Sequence, residues 1–146
     1  MYIFLDFDGV MHAYGKAAFS RAQYFSDIIS KHDDVNIVFS TSWREYSTVD
    51  RLKSHFPQKI QHKFIGMTPI ITDAVTHTRF REIMMFNNQH QIPDYQWIAI
   101  DDMKCLFPPN CPNLILTDAK TGFSKKEEKI LTQMLLKTTL KTRLKI

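Results

Sequence analysis

The 146 residues predict an α/β architecture in three layers, a mostly parallel five-stranded sheet between two layers of helix. Three observations carry that expectation. Short apolar runs recur along the chain, segments with helical spacing separate them, and polar residues able to do chemistry stand where several of the runs end. A compact apolar run reads as a strand buried on both faces. Parallel neighbours need crossover connections, and helices supply them.

Tyr2 to Phe7 is the first such run; Asn36 to Ser40, Ile60 to Ile65, Trp97 to Ile100 and Leu114 to Leu116 are the others. Between them, Phe25, Ile28 and Ile29 place a helix over Ser20 to Lys31. Val49 and Leu52 place one over Ser47 to His55, and Ile83, Met84 and Phe86 place one over Arg79 to His90. The last helix opens on Ser124 with Glu127 three residues on, a capping-box spacing, and continues through Ile130, Leu131, Met134 and Leu135.

The length suits a single domain over residues 1 to 146. Hydrophobic residues at 44% and charged residues at 23% give the balance of a globular chain. No apolar run reaches the ~18 residues a membrane-spanning helix needs, and MYIFL meets carboxylates at once, unlike a signal peptide. A cytoplasmic location is the expectation. Cys105 and Cys111 stand alone and read as free thiols of a reducing compartment. The net charge of +4 belongs to the end of the chain. Residues 124 to 146 carry seven Lys or Arg against two Glu, leaving the first 123 residues at −1. That basic amphipathic helix and tail reads first as a solvated face, with a polyanion contact as the alternative.

In parallel sheets, ligands collect at the carboxyl ends of strands. Asp6 and Asp8 end the first run, Ser40, Thr41 and Ser42 the second, Asp101 and Asp102 the WIAI run. Two residues apart on extended backbone, Asp6 and Asp8 leave on one side. Their repulsion calls for a cation. Carboxylates without convergent His or Cys suit Mg²⁺, and hydroxyls beside them suit phosphate. Arg44, Arg79, Arg81 and Lys104 are the candidates for the cation that completes such a set.

These residues resemble the haloacid dehalogenase-like (HAD) superfamily. Asp6-Phe-Asp8-Gly9-Val10 matches its first motif, IVFS ending in Ser40 its second, and WIAIDD its fourth. FLDFDGV, STSWR and IAIDD together are similar to small HAD domains without a cap, associated with RNA-repair polyproteins, over about residues 1 to 123. The third motif is usually a Lys, and none lies between Lys63 and Lys104. Arg79 in HTRFREI is the best substitute and Arg81 the second.

The resemblance implies a Rossmann-like fold and a Mg²⁺-dependent phosphatase. In that scheme Asp6 attacks phosphorus, and Asp8 acts as general acid and base. Asp6, Asp8 through its backbone carbonyl, and Asp101 hold the ion, with Asp102 orienting one of its waters. Ser40, Thr41 and Arg79 hold the phosphoryl group, with Gly9, Arg44 and Arg81 as further substrate contacts. Only 31 residues separate Asp8 from Ser40, enough for a flap over Val10 to Ala18 pivoting on Gly15 and one helix. No cap fits, so the cleft is open to a polynucleotide end or a phosphoprotein. A catalytically weak module that binds a phosphorylated or nucleic-acid partner is the second reading. A phosphoacceptor regulatory domain is the third, disfavoured because its acid does not sit in a DxD on the first strand.

Other residues have plainer readings. Trp43 and Arg44 read first as opening a helix and packing on the sheet, with substrate contact as the alternative, and Trp97 is core. His12 lies in the flap near a leaving group, whereas His32, His55, His62 and His90 read as surface residues, with His77 undecided. Met84 to Phe86 reads as helix packing.

Overall fold

The computed structural model describes residues 1–73 and 76–144. β1 (Tyr2–Leu5), β2 (Asn36–Phe39), β3 (Phe64–Met67), β4 (Trp97–Asp101) and β5 (Leu114–Leu116) form one sheet in the order β3-β2-β1-β4-β5. Every pairing is parallel, so the sheet is wholly rather than mostly parallel. Leu5 registers with Phe39 on one side and with Ile100 on the other, so the three central strands run out at the same level.

Alternation along β1 divides the core. Ile3 and Leu5 face α1 (Ala22–Ile29), α2 (Val49–Lys53), α3 (Gln58–Gln61) and α5 (Lys125–Leu144), whose Phe25, Leu52, Ile60, Leu131 and Leu135 pack with them. Phe4 faces the other way, with Val38 and Ala99, against Ile83 and Phe86 of α4 (Thr78–His90). Trp97 is buried in that second layer, as expected. Ring pairs near right angles, Phe4 with Phe86 at 5.5 Å and Phe4 with Trp97 at 6.0 Å, lock it.

Two expected elements differ. The strand read over Ile60 to Ile65 starts later, at Phe64, because Pro57 opens the short helix α3 and carries Ile60 into it. The helix read over Ser47 to His55 is shorter and follows a separate 3₁₀ turn, Ser42–Tyr46. Thr41 caps that turn by accepting from the Trp43 N–H at 3.2 Å, and Thr48 caps α2 by accepting from the Arg51 N–H at 3.3 Å. At α5 the capping box forms, with the Ser124 N–H donating to Glu127 Oε2 at 2.9 Å. Both cysteines are free. No described helix is long and apolar enough to cross a membrane.

Candidate active site

Asp6 follows β1 directly, and its N–H donates to Ile100 O of β4 at 3.1 Å. The Ser40 N–H donates to Leu5 O at 2.9 Å. Because the three strands end in register, Asp6, Ser40 with Thr41, and Asp101 with Asp102 arrive at one edge of the sheet. Carboxylate oxygens of Asp6, Asp101 and Asp102 lie within 4.8 Å of one another. Asp6 and Asp101 are buried and Asp102 is half-buried.

From the first turn of α4, Arg79 reaches into this group. Its Nη1 stands 3.2 Å from Asp6 Oδ1 and 2.7 Å from Asp101 Oδ2. Asp101 Oδ1 accepts from the Met103 N–H at 2.9 Å. Burial, and then the neighbouring Asp101, push the Asp6 carboxyl well above the usual carboxylate range, against the pull of Arg79. Burial raises Asp101 as well, again opposed by Arg79. For Arg79 the balance is reversed: burial acts to discharge it, and the two carboxylates overcome that and raise it. One guanidinium thus reaches two acids of a cluster of three. The excess negative charge is a demand for a further cation.

The geometry meets that demand with a donor set of oxygens alone. Asp102 Oδ1 is buried and without a hydrogen-bond partner among the described residues, an oxygen left available to a ligand. The Ser40 Oγ is likewise buried and unpartnered. Gly9 is obligatory beside it. Its φ is +74°, and a Cβ there would sit 2.5 Å from Asp102 Oδ2. The carbonyl of Gly9 accepts from Thr117 Oγ1 at 2.7 Å, which fixes the DxD loop from the end of β5. A hard divalent cation fits these residues.

The Asp8 carboxylate lies outside the three-acid group. Its Oδ1 is 2.9 Å from His12 Nε2, and its Oδ2 accepts from Trp43 Nε1 at 2.9 Å. The tight turn after β1 buries Val10, Met11, His12 and Ala13, so the exposed flap shrinks to residues 14–18. Neither Trp43 nor His12 was tied to Asp8 by sequence reasoning. The i, i+4 spacing of Asp8 and His12 was the available signal, and for Trp43 there was none beyond its place after the second strand end. Thr117 was also missed, although it too stands at a strand's end.

Two of the candidate substrate contacts have partners within the protein. Arg44 is buried and spends its guanidinium on the protein: Nε on Thr68 O at 3.1 Å, Nη1 on Thr41 O at 2.8 Å, Nη2 on Pro69 O at 3.1 Å and on Glu82 Oε2 at 2.5 Å. Arg81, one turn-face away from Arg79, points outward and pairs with Asp73 at 3.3 Å. Of the two arginines weighed for the third motif, Arg79 is the one at the acids. His55, expected on the surface, is exposed but stacks on Phe19 at 4.2 Å.

A central strand ending in DxD, flanked by strands ending in Ser-Thr and Asp-Asp with a cation from the helix that precedes the Asp-Asp strand, defines a HAD-type domain. The chain matches the family model described as the HAD domain in Swiss Army Knife RNA repair proteins over residues 2–127, and it belongs to that family. No curated protein and no solved structure matches it.

Proposed function

We propose that this HAD domain is a Mg²⁺-dependent phosphatase of phosphomonoesters. The observation that carries the reading is Arg79 bridging Asp6 and Asp101 beside the unpartnered oxygen of Asp102. Such an arrangement has a nucleophile, a fixed positive charge and an open coordination direction at one point. Asp6 and Asp101, with the Asp8 carbonyl, would hold the ion, and Asp102 would support it from beside Gly9. The ion supplies charge neutralisation for the phosphoryl oxygens.

The chain's own residues do the rest. An oxygen of Asp6 attacks phosphorus while the bond to the leaving oxygen breaks, and that oxygen takes its electron pair and a proton from Asp8. Water then attacks the aspartyl-phosphate, gives its proton back to Asp8, and the Asp6–phosphorus bond breaks to release phosphate. Arg79 and the Ser40 and Thr41 hydroxyls hold the phosphoryl oxygens as charge develops. The short exposed segment 14–18 leaves the cleft without a roof, which suits a large substrate such as a polynucleotide end, in keeping with the repair proteins for which the family is named. Lysines of α5 would guide such a polyanion, and the protein would work in the cytoplasm.

Hydrolysis of p-nitrophenyl phosphate with Mg²⁺ tests the reading. Asp6→Asn is expected to lower kcat by roughly a thousandfold or more while leaving the fold intact by circular dichroism. A variant with full turnover removes Asp6 from the chemistry. The arginine in the place of the usual lysine favours a second reading, a binding module with weak turnover. A protein inactive on this ester, nucleotides and end-phosphorylated RNA alike, yet binding the RNA, supports it.

A further inference from the structure

The surroundings of Asp8 form a built structure that the chemistry above does not explain. Its side chain is 38% exposed, yet both oxygens are held, one by His12 and one by Trp43. Neither donor is free to wander. His12 is buried, and its ring lies 5.7 Å from Phe19 and 6.2 Å from Trp43; Trp43 in turn meets Phe7 at 5.6 Å and Phe19 at 5.3 Å. The two donors are walled in by aromatic rings that are themselves anchored in the core.

The second nitrogen of His12 settles which tautomer the ring adopts. Phe19 donates its backbone N–H to His12 Nδ1 at 3.3 Å, so Nδ1 presents a lone pair and the ring hydrogen resides on Nε2, facing Asp8. Phe19 holds this position in the left-handed region, at φ 59°, where a bulky residue is uncommon. Backbone strain of that kind persists only where surrounding structure enforces it, and it clusters at functional sites. Here the strained residue supplies the hydrogen bond that orients the imidazole, and its ring stacks on His55 on the far side.

We infer that His12 and Trp43 are positioning residues for the general acid, a two-donor clamp that holds the Asp8 carboxyl at a fixed angle to the leaving oxygen, with the Phe19 N–H fixing the tautomer of His12. The inference rests on the phosphatase reading. Each Asp8 oxygen takes one donor, so each keeps a lone pair for the proton it exchanges with substrate or water. The clamp removes the rotation of Asp8 that an exposed aspartate would otherwise keep. Its contribution is orientation, so it is felt only where proton delivery limits the rate.

That condition gives a test a merely structural role would not pass. Phenyl phosphate releases a phenoxide about as basic as the tyrosine phenolate, whose conjugate acid has a pKa of ~10, and needs its proton; p-nitrophenyl phosphate releases a far weaker base and needs it little. The variants are His12→Ala, Trp43→Phe, which removes only the N–H, and His12→Gln, whose amide N–H can replace Nε2. For His12→Ala and Trp43→Phe, kcat/KM, which reports the step up to loss of the leaving group and not the hydrolysis of the aspartyl-phosphate common to both esters, is expected to fall about 30-fold on phenyl phosphate and less than about 3-fold on p-nitrophenyl phosphate. His12→Gln restores part of the loss. Thermal denaturation of each variant accompanies the kinetics. Equal losses on the two esters, or a loss that tracks melting temperature alone, overturn the clamp and leave the phosphatase reading standing. A wild-type protein that hydrolyses neither these esters nor nucleotides nor end-phosphorylated RNA overturns the phosphatase reading and the clamp with it.

Discussion

Replacing Arg44 with Met separates a phosphate ligand from a structural one. The guanidinium is 2% exposed and the Glu82 carboxylate opposite it 5%, and the same side chain satisfies the carbonyls of Thr41, Thr68 and Pro69. Burial pulls the Arg44 pKa downward, opposed chiefly by Glu82. Glu82 also accepts from the Ile71 N–H at 3.0 Å, so the pair ties α4 to the segment that follows β3. Arg44→Met keeps most of the stem and removes the charge. Glu82 is then left buried with one backbone donor, a loss of about 3–5 kcal/mol from breaking a buried pair. Against a total stability on the order of 5–15 kcal/mol this is large, and it lowers Tm by roughly 10 °C for a chain of this size. Urea denaturation monitored by tryptophan fluorescence measures it. Arg44→Met with Glu82→Leu should recover much of the loss, since an apolar replacement of both partners is often neutral. A single variant as stable as the wild type but with KM for p-nitrophenyl phosphate raised tenfold refutes the argument and returns Arg44 to the substrate.

Gly9→Ala places a methyl 2.5 Å from Asp102 Oδ2 on backbone at φ +74°. The backbone term alone costs about 1–2 kcal/mol, and the displaced Asp102 should weaken Mg²⁺ binding at least severalfold, read by the rise in Tm on adding Mg²⁺; an unchanged rise counts against Asp102 as a support of the ion. Tyr24 donates its hydroxyl to Glu128, and this bond, more than burial, pushes the phenol up to about 12. A raised pKa means the folded state keeps a proton the unfolded state has lost, so stability is intact below pH ~10 and falls as pH climbs from about 10 to 12. Tyr24→Phe should flatten that alkaline decline in urea midpoints; an identical decline in the variant shows that the bond between α1 and α5 contributes nothing.

Much of the site was readable because a parallel sheet obliges its functional groups to follow apolar runs. Asp6, Ser40, Thr41, Asp101 and Asp102 each come directly after one, and in-register strand ends do the rest. Arg79 was readable only as one of several arginines, because helix phase decides which of Arg79 and Arg81 faces the acids, and α4 begins one residue before the boundary read from its apolar spacing. Arg44 was legible only as packing or substrate contact, for a related reason. Its partner Glu82 stands 38 positions away, and nothing local says that a guanidinium after STSW turns inward. The start of β3 was obscured by Ile60, an apolar residue beside a strand that belongs to a helix nucleated at Pro57.

The grip of the last strand on the first loop has a consequence for synthesis. Thr117 Oγ1 holds Gly9 O, the Phe123 N–H holds Val10 O at 2.7 Å, and the Tyr14 N–H reaches Ala119 O at 3.0 Å. Gly122 is packed so close that a Cβ would meet Val10 O at 2.9 Å. Each of these bonds joins residues more than a hundred positions apart. During synthesis the DxD segment therefore precedes these fastenings by more than a hundred residues and stays without them until that later stretch has emerged.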